Sequence, residues 1–448
     1  MLYPKRYVAS VLLEANTPLS ISSGEKSLLT DAVIMTDANG LPMIPGTSLT
    51  GVLRHGLLLD DPIKDDIFGY QKDKENEGSG SRLIVSNANF VGKDGKVIEA
   101  LYDIDWDDEF YRKFNFLPVR QHTRISHQGA ASSEQYGKFD EQVVYKGTRF
   151  RFELELLGTK EDQDHWNLIL NLLDSAQFRI GGGTRKGFGE IESIEIIQKC
   201  FDLKQDLDPY LKKTASLNNL KHLTKFSSNN ESRSNWIHYK INIQPENLWI
   251  FSSGLSDDES DIVPVYEEEI QWENDTPSFS NKKLLIPASA LKGAISHRVA
   301  YHYNMLSNQF ADQLLKDERD NIVAENNNAV KTLFGFALKD NQGQRGKVLF
   351  SDILIESNDA QKILNHVTID RFTGGTIDGA LFDEKVIQDS QSIAFTICVD
   401  QSALQDEPIK QSLELTLDDI CSGMLPLGGG VMRGHGCFNG KWEIINDK

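Results

Sequence analysis

Two aspartates stand at matched places in this 448-residue chain. Asp31 closes "SSGEKSLLTD" and Asp261 closes "SSGLSDDESD", each after S-S-G and six further residues. A second acid follows each of them six residues on, Asp37 or Glu267. A loop carboxylate can hold a divalent ion that stabilises charge developing on phosphorus, or it can take the proton of an attacking hydroxyl. The cofactor this chemistry calls for is a divalent ion, Mg or Mn. A single loop aspartate is most simply a turn residue; recurrence at one spacing makes the pair catalytic candidates. Histidines offer a rival, metal-free acid–base chemistry. His55 and His297 hold matched positions, and His122, His127 and His435 fall near the other motifs. No H-E-x-x-H, C-x-x-C or Ser-His-Asp arrangement is present, so no structural metal is expected.

Two nonapeptides carry the chemistry of anion binding. "GGGTRKGFG" starts at Gly181 and "GGGVMRGHG" at Gly428. Gly181, Gly182 and Gly183, like Gly428, Gly429 and Gly430, can turn several amides one way as an anion nest. Arg185, Lys186 and Arg433 add positive charge for phosphate. The alternative for each loop is a tight packing turn. No G-K-[ST] follows, which excludes a nucleotide-binding P-loop. "KGFG" matches half of an RNA-recognition signature, but Glu190 stands where an aromatic is wanted. A third pair is "IPGTSLTGVLRH" from Ile44 and "IPASALKGAISH" from Ile286. Each reads as a helix start, where free amides with Thr47, Ser48 or Ser289 can bind phosphate or the hydroxyls can simply cap. Arg54, Lys292 and Arg298 can reach a phosphate or pair with acids.

These motifs must be held by a duplicated scaffold. The S-S-G segments, the I-P helices, "IFG…VSNA" against "LFG…FSDI", and the glycine loops recur in one order, offset by roughly 230–265 residues. The chain divides into a first copy at 1–199, a linker at 200–236 and a second copy at 237–448. The linker starts as a polar helix and ends Ser/Asn-rich. Alternating apolar residues predict strands at 6–16 and 237–247, at 148–158 and 391–400, and at 189–197 and 437–445. Helical spacing covers 47–60, 161–176, 289–306 and 411–424, the first and third opened by a Thr or Ser cap. Strand, helix, strands, helix, strand is the split βαβ order. The fold class expected is therefore α+β, two tandem ferredoxin-like (RRM-like) domains. Loops at Thr123–Gln142 and Thr368–Lys385 both end in an aromatic followed by Asp-Glu. The second copy carries about twelve extra, acidic residues between Glu267 and Ile286.

Net charge is −19, which argues against non-specific coating of DNA and confines any nucleic-acid groove to a few cations. The apolar N-terminal stretch is short and broken by Glu14, so it reads as a strand. No run of 18 apolar residues occurs, so no membrane partner is expected. Four cysteines without paired spacing fit a reducing cytoplasm.

I-P-G-x-S-L-x-G-x-x-R, followed by G-G-x-x-x-K-G-x-G before a last strand, resembles the RAMP superfamily of CRISPR-associated proteins. "TDAVIMTD…PMIPGTSL" is similar to its backbone-subunit branch, the seventh Cas family, in type III effectors. Two copies in one chain look like the fused double subunit of type III-D variants. The resemblance implies a prokaryotic, cytoplasmic RNA-binding protein whose partners are a CRISPR guide RNA, a complementary target RNA and other Cas subunits. It implies metal-dependent cleavage of target RNA at Asp31, with Asp261 its counterpart. It also makes the long loops protruding thumb hairpins, with Arg124, His127, Arg371 and Phe372 at their tips. A scaffold without cleavage and a guide-RNA-processing endoribonuclease are the alternatives. In the second copy Ala288 replaces Gly46 and Ser296 replaces Arg54.

Overall fold

The structure, a computed structural model, describes residues 2–445 except 28–29, 73–76, 127–128, 133–136, 176, 228–234, 274, 316–318, 338–342 and 359. The first half runs β1 (Lys5–Ala15), α1 (Gly46–Gly56), β2 (Leu83–Val85), β3 (Val119–Thr123), β4 (Lys138–Gln142), β5 (Arg149–Gly158), α2 (Gln163–Leu173) and β6 (Ile191–Asp202). The second runs β7 (Trp236–Pro245), β8 (Ile270–Glu273), β9 (Thr276–Phe279), α3 (Ala288–Leu306), β10 (Val348–Leu349), β11 (Gln361–His366), β12 (Phe382–Ile387), β13 (Ile393–Asp400), α4 (Glu407–Cys421) and β14 (Phe438–Ile445). Both central sheets are antiparallel, ordered β6-β1-β5-β2 and β14-β7-β13-β10. The fourth strand thus lies beside the first, and the third between first and second, in each half.

Alternation in β1 sends Tyr7, Ala9, Val11, Leu13 and Ala15 into one core. Phe150, Phe152, Leu154 and Leu156 of β5 join them. Across from this face, α2 supplies Trp166, Ile169, Leu170 and Leu173, a stripe of helical period. The second core repeats the plan with Tyr239, Ile241 and Ile243 under α3 and α4. No helix among the described residues is long and apolar enough to cross a membrane.

Three expectations need correcting. Neither I-P helix is capped by its own Thr or Ser: the N-caps are Pro45 and Pro287, with no side-chain bond. The first amides donate instead to distant side chains, Gly46 N to Asn87 Oδ1 at 2.9 Å and Ala288 N to Asp352 Oδ1 at 2.8 Å. α1 stops at Gly56, four residues short, and a new short helix begins at Asp61 with a proline in its first turn. Most of the described part of 200–236 is attached to the first half. Thr224–Lys225 extends the sheet beside β6, and Tyr210 and Lys213 bond Glu155 and Glu153.

The acidic insertion of the second copy is the β8–β9 hairpin, and it clasps the first half. Trp272 Nε1 donates to Gly147 O at 2.7 Å, and the Arg149 guanidinium lies 4.0 Å over its ring. Phe279 packs against Phe110, Phe114 and Tyr145. A side chain at Gly147 would meet the carbonyl of Ile270 at 2.0 Å, so only glycine permits this approach. Burial would raise the Glu269 carboxyl, but Lys146 and Lys283 outweigh it and hold it at about 2.

Candidate nucleic-acid interface

The first glycine loop sits in a seam between the two halves. Gly187 (φ +105°) lies against the start of α3, where an added Cβ would come within 2.3 Å of Ala288 Cβ. Arg185 Nε donates to Gly346 O at 2.6 Å. Arg179 donates to Phe350 O and Ser351 Oγ, both at 3.1 Å. Arg345 Nη2 reaches Thr184 Oγ1 at 3.4 Å. Lys292, one turn into α3, faces the same place. The seam thus gathers Arg185, Lys186, Lys292 and Arg345 around Arg179, which is itself paired with Glu190 Oε2 at 3.0 Å. Burial, then the neighbouring Arg345 and Arg179, push Arg185 down to about 9. Burial, then Lys186 and Arg185, push Lys292 down to about 8. Burial also lowers Lys186, against the pull of Glu141. Like charges held together out of water are unfavourable unless an anion joins them.

The glycines themselves serve as packing turns. The amides of Gly182, Lys186, Phe188 and Gly189 donate to the carbonyls of Ser20, Gly183, Gly183 and Pro18. Those of Gly429, Arg433, His435 and Gly436 are taken by Ile250, Gly430, Gly430 and Leu248. Paired positions share positive φ: Gly181 with Gly428, Gly183 with Gly430, Gly187 with Gly434 and Gly189 with Gly436. Of the three amides expected to form each anion nest, the middle one, Gly182 or Gly429, is thus taken by a backbone carbonyl. Two other expected phosphate ligands are engaged within their own halves. Arg54 pairs with Asp65 and donates to Gly69 O. Arg298 pairs with Asp419 at 2.5 Å, where His302 Nε2 also sits at 2.6 Å. At the helix starts, Thr47 is exposed, and Ser48 and Ser289 are half-buried.

Each long loop springs from a two-stranded ladder, β3–β4 or β11–β12, and the two bases are built alike. His122 stacks on Phe139 at 4.7 Å between centroids, and His366 on Phe382 at 4.8 Å. A buried carboxylate anchors each base. Ser20 Oγ donates to Glu141 Oε2 at 2.7 Å, and His122 Nε2 lies 3.0 Å from Oε1. Glu384 accepts from His366 Nε2 at 2.8 Å, from His435 Nε2 at 2.9 Å, and from Arg433. Burial would raise both carboxyls; the donors around them, led by His122 at Glu141 and Arg433 at Glu384, bring them below the ordinary range. Lys186 Nζ lies 4.4 Å over Phe139 and the Arg433 guanidinium 5.6 Å over Phe382. Towards the tips, Arg124 reaches Glu325 of the second half at 3.4 Å. Arg371 is exposed and Phe372 is 94% exposed. His127 lies outside the described residues.

Asp31 and Asp261 occupy equivalent places beside these bases. Asp31 Oδ2 accepts from Asp140 N at 3.3 Å, and Asp261 Oδ2 from Asp383 N at 3.1 Å. Both are exposed. Their sequence neighbours do not add to a shared acidic site. Asp37 takes the amides of Asn39 and Leu41, and Glu267 pairs with Arg120. Among the described residues no group of three or more His, Cys, Asp and Glu could hold a metal. The donor set is one carboxylate per half, which fits a hard cation only when substrate phosphate oxygens complete its shell.

The sequence profile of one family matches residues 12–192 and again 251–439, the two halves just described. The chain belongs to the RAMP superfamily. RAMP proteins are CRISPR-associated and bind RNA within Cas complexes. A search of curated proteins found no match.

Within this RAMP chain, sequence reasoning missed several residues of the seam. Arg179 and Arg345 lie outside the glycine motif and become neighbours only when the halves dock. Arg120, 6% exposed, crosses the seam to Glu267 and to Asp352 Oδ2, the latter at 3.0 Å. His366 and the two buried glutamates carried one legible signal, the repeated F-D-E at the end of each loop.

Proposed function

We propose that this RAMP protein holds a guide RNA by its sugar–phosphate backbone along the seam between its halves, as a double backbone subunit of a type III CRISPR effector. The observation that carries this is the cluster of Arg185, Lys186, Lys292 and Arg345 beside the Arg179–Glu190 pair, in which burial outweighs the pull of Glu141 on Lys186 and of Asp400 on Arg185. A polyanion supplies counter-charge without reading sequence, as backbone recognition requires. The antiparallel order of both sheets supports a ferredoxin-like reading of each half, and the ladders β3–β4 and β11–β12 support reading the long loops as thumbs. Pairing to the guide would bring the target past these stems. There Asp31 and Asp261 are the residues to cut it, turned toward solvent at the same point of each half. A divalent ion shared between carboxylate and phosphate would stabilise the developing charge. Asp140 and Asp383, through their amides, fix the carboxylate that would meet it.

The test is RNA binding by the full chain, followed by fluorescence anisotropy over a salt series. Arg185→Ala with Lys292→Ala should weaken binding and lower the log–log salt slope by about 0.7 for each single-strand phosphate that is no longer neutralised. Unchanged affinity and slope would remove the seam as the RNA site. A scaffold without cleavage is the second reading. It is favoured by the absence of a metal-holding cluster among the described residues, and loss of cutting in Asp31→Asn would exclude it.

A further inference from the structure

The seam is a template for docking, because the surfaces that make it occur again, unfilled, at the far side of each half. On the donor side, the second loop repeats the first. Gly434 matches Gly187 and has nothing within 4 Å of an added Cβ, where Gly187 is pressed on Ala288. Met432 matches Arg185 and is 98% exposed. Pro426 stands where Arg179 does, two residues before the glycines. Leu364 pairs with Glu384 across its ladder as Arg120 pairs with Glu141. The three arginines that bind the seam are thus replaced by leucine, proline and methionine. On the receptor side, the first half offers Asn87 for Asp352, both bonded to a helix-start amide. It offers Thr50 for Lys292, and Gly80 for Arg345, by the matched pairs Tyr70–Ser79 and Phe336–Gln344.

A second copy of this chain is a poor occupant of the open loop. Its receptor face would set the Asn87 amide donors against Leu364, whereas Asp352 meets Arg120 in the seam. A buried amide without an acceptor costs about 1–3 kcal/mol. The junction would also lack the charged pairs that fix register. The face fits a different surface: a helix start like 286–292 whose rim is uncharged and apolar.

We propose that the face formed by Leu364, Pro426 and Val431–Gly434 docks a different protein, which brings an uncharged, apolar-rimmed helix start onto the loop as α3 is brought onto Gly187. Met432 is its anchor, a flexible side chain suited to an apolar recess. This docking needs no RNA, so it stands or falls apart from the RNA-binding reading.

Two measurements on the full chain decide it. Sedimentation of the RNA-free protein over a hundredfold concentration range should give one species at the monomer mass of 50.4 kDa. A concentration-dependent ladder would make a second copy the occupant and overturn the proposal. Then p-benzoylphenylalanine at position 432 is photo-crosslinked in nuclease-treated complex from expressing cells, and the adduct is mapped by mass spectrometry. The expected adduct lies in another protein, within the first turns of a helix. Adducts at 44–54 or 79–88 of a second copy, adducts only to RNA in untreated samples, or none at all would each sink it. Met432→Asp should abolish that association at unchanged melting temperature, because the side chain touches little in the free protein; association unaffected by it counts against the proposal.

Discussion

The loops at 181–189 and 428–436 follow the same backbone path, yet their cations live in different company. Lys186 shares the seam with Arg185, Lys292, Arg345 and Arg179, and burial and like charge lower it or its neighbours. Arg433 is seated on Glu384, beside two histidines that donate to the same carboxylate. The first loop is an unbalanced site and the second a balanced one. The reason lies in what surrounds each: the loop at 181–189 meets the other half, with its own cations and carbonyls, while the loop at 428–436 faces outward. A duplicated motif therefore need not keep a duplicated role, because electrostatic character belongs to the interface and not to the loop.

The largest effect expected from this difference is catalytic. Asp31→Asn should slow one cut in a paired target RNA by about 10²–10⁴-fold while guide binding holds. Asp261→Asn should do the same to a second cut only if the outward-facing half is completed by a neighbour. Gel mapping of cleavage products in the assembled complex reads both, and two cuts untouched by either substitution would make the chain a scaffold. Stability comes next. Arg120→Ala leaves Glu267 and Asp352 buried without their partner and should cost about 3–5 kcal/mol in urea unfolding. Leu364→Ala, at the equivalent outward position, should cost much less. Equal losses would mean the seam charges are not a lock.

Smaller still is the contrast between two glycines. Gly187→Ala meets both a left-handed backbone, about 1–2 kcal/mol, and a clash with Ala288 worth about 1–3 kcal/mol more. Gly434→Ala meets only the first. Melting temperatures of the two variants should rank in that order. The smallest signal is protonic. Lys292 titrates at about 8 in the RNA-free fold, below its ordinary 10.5. Between those values the unfolded chain binds the proton more tightly, so this group adds stability as pH rises through the window. Phosphate in the seam should restore the charge, so RNA binding near pH 9 should take up roughly one proton. Calorimetry in two buffers of different ionisation enthalpy measures it, and Lys292→Met should remove most of it, leaving the share of Arg185, which is pushed down to about 9.

Much of the architecture is legible in the chain. The period-two runs of β1, β5, β7 and β13 and the stripe of α2 are local patterns, fixed by which side chains avoid water. The repeat itself is legible because matched motifs mark matched turns. The positions of Asp31 and Asp261 beside the hairpin bases follow from that repeat. What the sequence could not decide was how the halves meet. Arg54 and Lys292 read alike as helix cations, yet one is neutralised by Asp65 and the other is left among cations. The acidic insertion of the second copy is the clasp that joins the halves through Trp272 and Phe279, a role its composition does not announce. Each of these outcomes depends on which groups from distant parts of the chain end up side by side. Charge balance and desolvation are set by everything within a few ångströms, and only the tertiary structure says what that is.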